Sequence, residues 1–282
     1  MFTGLVVGVL LLLISVFMIF QTTCKVWGAE KPANATQQGI DVSSHQGKID
    51  WEQVKNSALA DYAIIRCGYG VNQTDKDDKY WDYNSSECER LGIPYGTYLY
   101  SGADTTAKAK SEAEHVVRLL QGKNLTYPIY YDMEADMLNQ LSSTQIGNIA
   151  KTFLNTMESY GYKNVAVYSN KYLFETKLTA SVFSDYPKWI AQHSNKCTYQ
   201  GSYHMWQYST QGVIPGISEK VDLNYKIGNW TYAGYSSAKK TVVVKPKATT
   251  IKSLRKSGKK AVKITYKKVS GVSGYQIYMS TK

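Results

Sequence analysis

The sequence predicts an α/β fold in which five strand–helix units are followed by three strands without helices. Three observations carry that expectation. From residue 38 onward, short runs rich in β-branched and aromatic residues alternate with longer stretches of helical period. Beyond residue 178 the helical stretches stop while the strand-like runs continue. Acidic residues recur at the ends of the strand-like runs, as in a sheet whose working face lies at one end. Repeated βα units make strands parallel, because right-handed crossovers place the helices on one side. Eight such strands close into an irregular, TIM-like β/α barrel with its working face at the strands' C-terminal ends.

The elements follow in order. Residues 39–43 form a short apolar-rich strand, and the Asp50-Trp51-Glu52-Gln53 run has the form of a helix-opening capping box. Residues 62–67 (YAIIRC) read as a buried strand and 78–91 as a helix. Residues 94–100 (PYGTYLY) form the third strand, after which Asp104 is placed to cap a long helix reaching Leu120. The fourth strand is 128–134 (PIYYDME), followed by a helix from Ser142 to about Tyr160. The fifth is 164–169 (NVAVYS), followed by a short helix over 171–178. Residues 188–192, 204–208 and 220–223 read as three strands joined by loops alone.

Both flanks differ from this core. The first twenty residues are one uncharged apolar run, which at about 19 residues suits either a membrane span or a long signal-peptide core. A positive n-region is missing, and Lys25 is the nearest flanking charge. Cleavage-site candidates are Val26-Trp27-Gly28 and Ala33-Asn34-Ala35; Cys24 fits a lipoprotein site poorly. The domain reading is therefore 1–37 as signal peptide or membrane anchor plus linker, 38–232 as the barrel, 233–246 as a Ser/Lys/Val linker, and 247–282 as a short β module. That module alternates with period two over 249–254, 261–267 and 274–279, three strands where a sandwich needs about seven, so it reads as truncated.

The net charge of +11 is a local property. Residues 239–282 hold thirteen Lys or Arg and no acid, so the 33 basic and 22 acidic residues of the whole chain leave 20 basic and 22 acidic residues before them. A lysine-rich tail is drawn to polyanions, whereas the main domain has no basic cluster of the kind that marks a nucleic-acid reader. The four cysteines, Cys24, Cys67, Cys88 and Cys197, lack the Cys-x-x-Cys spacing of zinc or redox sites. Cys67 and Cys88 flank one strand–helix unit and are either a disulfide of an exported protein or two small buried hydrophobes. The 24 Tyr and 6 Trp supply either sugar-stacking faces or ordinary strand and core residues.

The candidate chemistry lies in four acids. Asp41 ends the first strand, Asp132 and Glu134 the fourth, and Asp222 the eighth. Strands one and eight adjoin in a closed barrel, which sets Asp41 and Asp222 facing each other. Asp132 and Glu134 share one side of their strand, with Cα atoms roughly 6.5–7 Å apart. Two carboxylates so placed serve glycoside cleavage, one held protonated as acid and the other ionised beside the developing positive charge. Any one such acid is more often an ordinary surface group; four at one barrel face are a different matter.

Seven ordered stretches extend this reading: GIDVSSHQG (39–47), IDW (49–51), YAIIRCGYG (62–70), YDMEA (131–135), KWIAQ (188–192), MWQYS (205–209) and VDLN (221–224). Together they resemble glycoside hydrolase family 25, the muramidases also called Chalaropsis-type lysozymes, over about Gly39 to Asn229. The resemblance implies an irregular β/α barrel that hydrolyses the β-1,4 bond between N-acetylmuramic acid and N-acetylglucosamine, with no metal or cofactor. Glu134 is similar to that family's general acid. Asp132 would orient the substrate's 2-acetamido group or support the developing charge. Asp41 and Asp222 match the other acidic positions, and the acetamido group itself would act as nucleophile. Residues 245–282 are similar to the first strands of a fibronectin type III domain, with Tyr266 where such domains often carry a core Trp.

Further substrate-binding candidates are weaker. Trp206 and Tyr208 alternate with Gln207, so their rings line either a sugar subsite or a core. Arg66 ends strand two and meets a carboxylate of the site, of the substrate, or of a structural pair. His45 lies just past Asp41 at the rim. Tyr98 and Tyr100 share a face of strand three, and Tyr100 at its end reaches the cleft. The implied partners are peptidoglycan glycan strands, with anionic wall polymers for the lysine tail, no nucleic acid, and a membrane only through the N-terminal run. The implied location is extracellular or wall-associated. A non-catalytic wall-binding protein and a chitinase-like glycosidase are the competing readings.

Overall fold

The computed structural model describes residues 29–230, 249–257 and 261–267. The N-terminal apolar run with Cys24 and Lys25, the linker at 233–246 and the expected strand at 274–279 lie outside them. The chain divides into two units, Met1–Ala238 and Lys239–Lys282.

The first unit is a closed eight-stranded barrel. In chain order its elements are β1 (Ala35–Val42), α1 (Trp51–Ser57), β2 (Tyr62–Tyr69), α2 (Trp81–Leu91), β3 (Tyr95–Tyr100), α3 (Thr106–Leu119), β4 (Ile129–Asp132), α4 (Ser143–Ser159), β5 (Val165–Asn170), α5 (Lys171–Thr176), α6 (Val182–Asp185), β6 (Lys188–Ala191), β7 (Met205–Gly212) and β8 (Val221–Ile227). Strands β1 to β7 pair in parallel. Strand β8 is antiparallel to both neighbours, β7 and β1. Only residues 213–220 join β7 to β8, too short a connection for the crossover a parallel pair requires. The expectation that Asp222 ends the eighth strand is corrected accordingly. Asp222 opens β8, and the reversed direction brings that opening to the same barrel end as the C-termini of the other seven strands.

Three boundaries also differ from expectation. Strand β1 begins at Ala35, inside the stretch read as linker. The helices do not stop after residue 178, since the one-turn α6 intervenes before β6. Helix α3 is capped by Thr105, whose side chain accepts from the Lys108 N–H, while Asp104 pairs with Lys108 Nζ at 2.7 Å instead. A hydroxyl one residue nearer the first turn reaches the orphan N–H better than the longer carboxylate.

Two apolar layers hold the barrel. Alternate strand residues point inward, where Tyr62, Ile64, Tyr130, Ala166, Tyr168, Trp189 and Met205 fill the interior. The intervening residues point outward under the helices, Ile65, Leu99, Tyr131, Val167 and Ile190 among them. Helix α4 shows how the sequence sets this up. A capping box of Ser142 and Gln145 opens it, and Ile146, Ile149, Ala150, Phe153, Leu154 and Met157 fall on one face by helical spacing. Phe153 stacks on Tyr131 of β4 at 3.8 Å between centroids, and burying such a ring contributes about 2–3 kcal/mol. Inside, Tyr62 and Tyr127 stack at 4.3 Å. A Cβ on Gly39 would sit 2.4 Å from the Tyr62 ring, which explains why that wall position carries no side chain.

Cys67 and Cys88 are both free and buried, with the Cys67 thiol donating to the Tyr98 carbonyl at 3.3 Å. Burial pushes the Cys67 thiol up to about 12. They are small core residues and not a disulfide. No described helix is long and apolar enough to cross a membrane.

The second unit has β9 (Ile251–Lys256) and β10 (Val262–Tyr266), an antiparallel pair whose residues are mostly exposed. Two strands do not by themselves make a fibronectin type III module.

Candidate active site

The mouth of the barrel is acidic because three strands, β1, β4 and β8, deliver four carboxylates to it. Asp41 and Asp222 are direct cross-strand partners in the β1–β8 register. Asp132 closes β4, and its carbonyl accepts from the Ser101 N–H at 2.9 Å. The strand ends two residues short of the Glu134 end expected for it, so Glu134 lies just past the last strand residue. The chain there stays pinned to β5, because the Met133 N–H donates to the Tyr168 carbonyl and its carbonyl accepts from the Ser169 hydroxyl. The strand's alternation therefore runs on, and Asp132 and Glu134 keep a common side.

Burial and crowding hold protons on these acids. Asp132 is 2% exposed. Burial, then the charges of Glu134 and Asp41, raise its carboxyl well above the ordinary range, against an opposing pull from Arg66. Its Oδ1 is buried and meets no hydrogen-bond partner among the described residues. Glu134 is half-buried; burial first and Asp41 second raise it, while His193 and a Tyr168 hydrogen bond act the other way. Asp41 is raised well above its usual value by burial and by Asp222, and Asp222 is raised to about 6, again chiefly by burial. Four neighbouring carboxylates cannot all ionise, so the mouth at neutral pH is a mixed set of acids and anions, as general acid chemistry requires.

A hydrogen-bonded wall supports that set. Gln207 Nε2 donates to Asp41 Oδ2 at 3.0 Å and to Asp222 Oδ2 at 3.2 Å. Asn224 Nδ2 donates to the same Asp41 oxygen at 2.7 Å, and Trp189 Nε1 donates to Asn224 Oδ1 at 2.8 Å. The Tyr168 hydroxyl donates to Gln207 Oε1 at 2.9 Å, with His193 Nε2 at 3.1 Å from the same atom. Sequence reasoning passed over all five of these supports. Period two carried the signal for two of them, since Asn224 shares a face with Asp222 and Gln207 lies opposite the rings it separates.

The weaker candidates divide. Tyr100 is half-buried, and the charges of Asp132, Glu134 and Asp136 raise its hydroxyl after burial does, which places it beside the acid pair. Arg66 donates to Asp78 Oδ2 and Ser44 Oγ, each at 2.9 Å, so its first partner is structural, although its charge reaches Asp132. His45 is exposed in the turn Ser44–Gln46 that follows β1, a turn capped by Ser43. Trp206 and Tyr208 are not at the mouth. They are buried in the outer layer, Trp206 Nε1 bonding the Gln192 carbonyl at 2.8 Å and Tyr208 stacking on Tyr225 at 4.4 Å. The polar residue between them faces inward because the barrel mouth is polar, and the rings go where the apolar surface is. No cluster of three or more His, Cys, Asp or Glu among the described residues is arranged to hold a metal.

Residues 40–217 match the family described as Glycosyl hydrolases family 25. The autolytic lysozyme of Clostridium acetobutylicum is 30% identical over 188 residues, 66% of this chain and 55% of that protein. The protein YegX of Escherichia coli K12 is 27% identical over 199 residues, 68% of this chain and 70% of YegX. Among solved structures, the modular autolysin LytC of Streptococcus pneumoniae is similar at 33% identity and a TM-score of 0.62, covering 67% of this chain and 46% of LytC. LytC has also been solved with a synthetic peptidoglycan ligand. The chain thus spans about half the length of the two autolysins it resembles. With the family match spanning well over half of the chain and the acids gathered on a barrel of that fold, this protein belongs to glycosyl hydrolases family 25.

Proposed function

We propose that the protein is a peptidoglycan hydrolase, an N-acetylmuramidase that cleaves the β-1,4 bond between N-acetylmuramic acid and N-acetylglucosamine in bacterial cell wall. The observation that carries the reading is the unequal pair at the end of β4: a half-buried Glu134 next to a buried Asp132 whose Oδ1 meets no partner among the described residues. Glu134, its proton held by burial and by Asp41, reaches the mouth and protonates the leaving glycosidic oxygen. Asp132 Oδ1 accepts the substrate's acetamido N–H, the donor it otherwise lacks. The acetamido oxygen then attacks the anomeric carbon as the bond to the leaving oxygen breaks. Asp132 supports the resulting positive ring, and Glu134, now a base, takes a proton from the water that attacks the anomeric carbon as the bond to the acetamido oxygen breaks. The enzyme acts outside the cell or at the wall, with Tyr100 and His45 lining the approach and the lysine-rich tail drawn to anionic wall polymers.

The test is incubation of purified cell wall with the protein, followed by mass analysis of new reducing ends. Muramic-acid ends are expected. Products from chitin alone would replace this reading with a chitinase-like one, and binding without products would leave a wall-binding protein.

A further inference from the structure

One position on the buried stripe of α3 breaks the apolar pattern. Ala109, Glu112, Ala113 and Val116 follow helical spacing and are all fully buried, so the stripe carries a carboxylate where an apolar side chain would pack. A buried carboxylate loses its hydration and persists only with hydrogen-bond donors around it. Glu112 has three. Its Oε1 accepts from the Gly102 N–H at 2.8 Å. Its Oε2 accepts from the Tyr131 hydroxyl at 2.7 Å and lies 2.9 Å from the Ser101 hydroxyl. The two hydroxyls are themselves 2.8 Å apart, and the Ala103 N–H donates to Ser101 Oγ at 3.2 Å. Burial and the charge of Glu112 hold the proton on the Tyr131 hydroxyl, which keeps it a donor.

These donors surround Asp132. Tyr131 precedes it on β4, its ring held outward by the stack on Phe153 and its hydroxyl by Glu112. Neighbouring strand residues point to opposite faces, so fixing Tyr131 outward aims Asp132 into the barrel. The Ser101 N–H donates to the Asp132 carbonyl at 2.9 Å. One carboxylate therefore grips both the side chain before Asp132 and the residue that binds its carbonyl. Ser101 also follows Tyr100, whose carbonyl accepts from the Gly70 N–H at 2.9 Å.

We propose that Glu112 is a positioning residue that joins the ends of β3 and β4 from outside the barrel and so sets the direction of Asp132 in the mouth. Glu112 is fully buried and acts through Ser101, Gly102 and Tyr131, with no contact of its own to a bound glycan. The part that concerns turnover rests on the hydrolase reading; the placement of Asp132 does not.

The test uses the full chain labelled with 13C at the aspartate carboxyls, the Asp132 signal being assigned by its loss in Asp132→Asn. Tyr131→Phe removes one hydroxyl and keeps the ring stack, whereas Glu112→Leu removes all three bonds. Both should move the Asp132 titration downward, Glu112→Leu further, because a loosened strand end admits water to a group raised chiefly by burial. On purified wall, kcat should fall by up to about 10²-fold, as when a reacting group is displaced by about 1 Å, while KM stays close to wild type. Glu112→Gln keeps an acceptor for Gly102 and turns its amide to two hydroxyls that accept as well as donate, so it should restore most of both readouts. If the Leu variant fails to fold, Tyr131→Phe still carries the test. An Asp132 titration that stays in place while the melting temperature falls would overturn the proposal, since that is the mark of packing alone. A Gln variant as impaired as the Leu variant would overturn it too. Shifted titrations in a protein that releases nothing from wall would support the placement of Asp132 while sinking the hydrolase reading.

Discussion

Asp41 and Asp222 stand directly opposite each other on two strands that run in opposite directions, the first and last of the barrel. Asp41 is buried and Asp222 half-buried, and they cannot both be charged without cost. That relationship makes the stability of the fold depend on pH in a stated direction. The folded protein holds the Asp222 proton up to about 6, against 3.8 for an unperturbed group. It therefore binds more protons than the unfolded chain between those values, and stability falls as pH rises through the window. Asp222→Asn keeps an acceptor for Asp41 and removes the charge. Its melting temperature should exceed that of the wild type at pH 8 and match it near pH 4, while wall hydrolysis drops. A difference in melting temperature that is the same at both pH values would contradict the linkage.

Glu134→Gln should lower wall-clearing activity by about 10²- to 10⁴-fold, the contribution of a positioned general acid. The side chain is half-buried at the mouth, so the circular dichroism spectrum and melting temperature should stay close to wild type. Near-normal turnover by this variant would reassign the acid.

Asp132→Asn should cost about 10²- to 10³-fold in kcat, the loss expected when one group facing the developing charge is neutralised. Burial and neighbouring charge raise Asp132, so removing its ionisation should also raise stability at neutral pH. Parallel losses of activity and stability would mean that its role is structural.

Trp206→Phe separates packing from binding. The ring is buried against Tyr208 and Tyr225, so KM for wall fragments should change less than about twofold, while the orphaned Gln192 carbonyl should cost about 1–2 kcal/mol of stability. A large rise in KM with stability intact would favour the sugar-subsite alternative that the sequence left open.

Removing residues 239–282 takes away thirteen basic residues and no acid. Wall binding measured by sedimentation should weaken at low salt and converge with the full chain at high salt, where screening shortens the reach of the charge. Identical salt dependence in both proteins would rule out an electrostatic anchor.

The order of strands was legible because parallel units leave strong local marks: YAIIRC, PYGTYLY and NVAVYS each became a strand within two residues of the expected bounds. The four acids at the mouth were legible for the same reason, as each closes or opens one of those runs. The direction of β8 was not, because a strand's sequence carries no arrow and only the length of the 213–220 connection decides it. Parity left the faces of β7 undecided. Period two says that Trp206 and Tyr208 share a side, and it does not say which side is inside. In most sheets the aromatic side faces the core, but at this barrel mouth the interior is the polar side, so Gln207 took the inward position. Tyr168, Trp189 and His193 carried no local mark at all, since their partners lie on other strands.

The antiparallel closure of β8 on β1 gives the molecule an order of assembly. Asp41 is made early, and Asn224, which binds it, comes 183 residues later. A chain still emerging from the ribosome holds only one side of the acidic seam and has no closed barrel. On the hydrolase reading, activity would thus arise only once the whole barrel has been made.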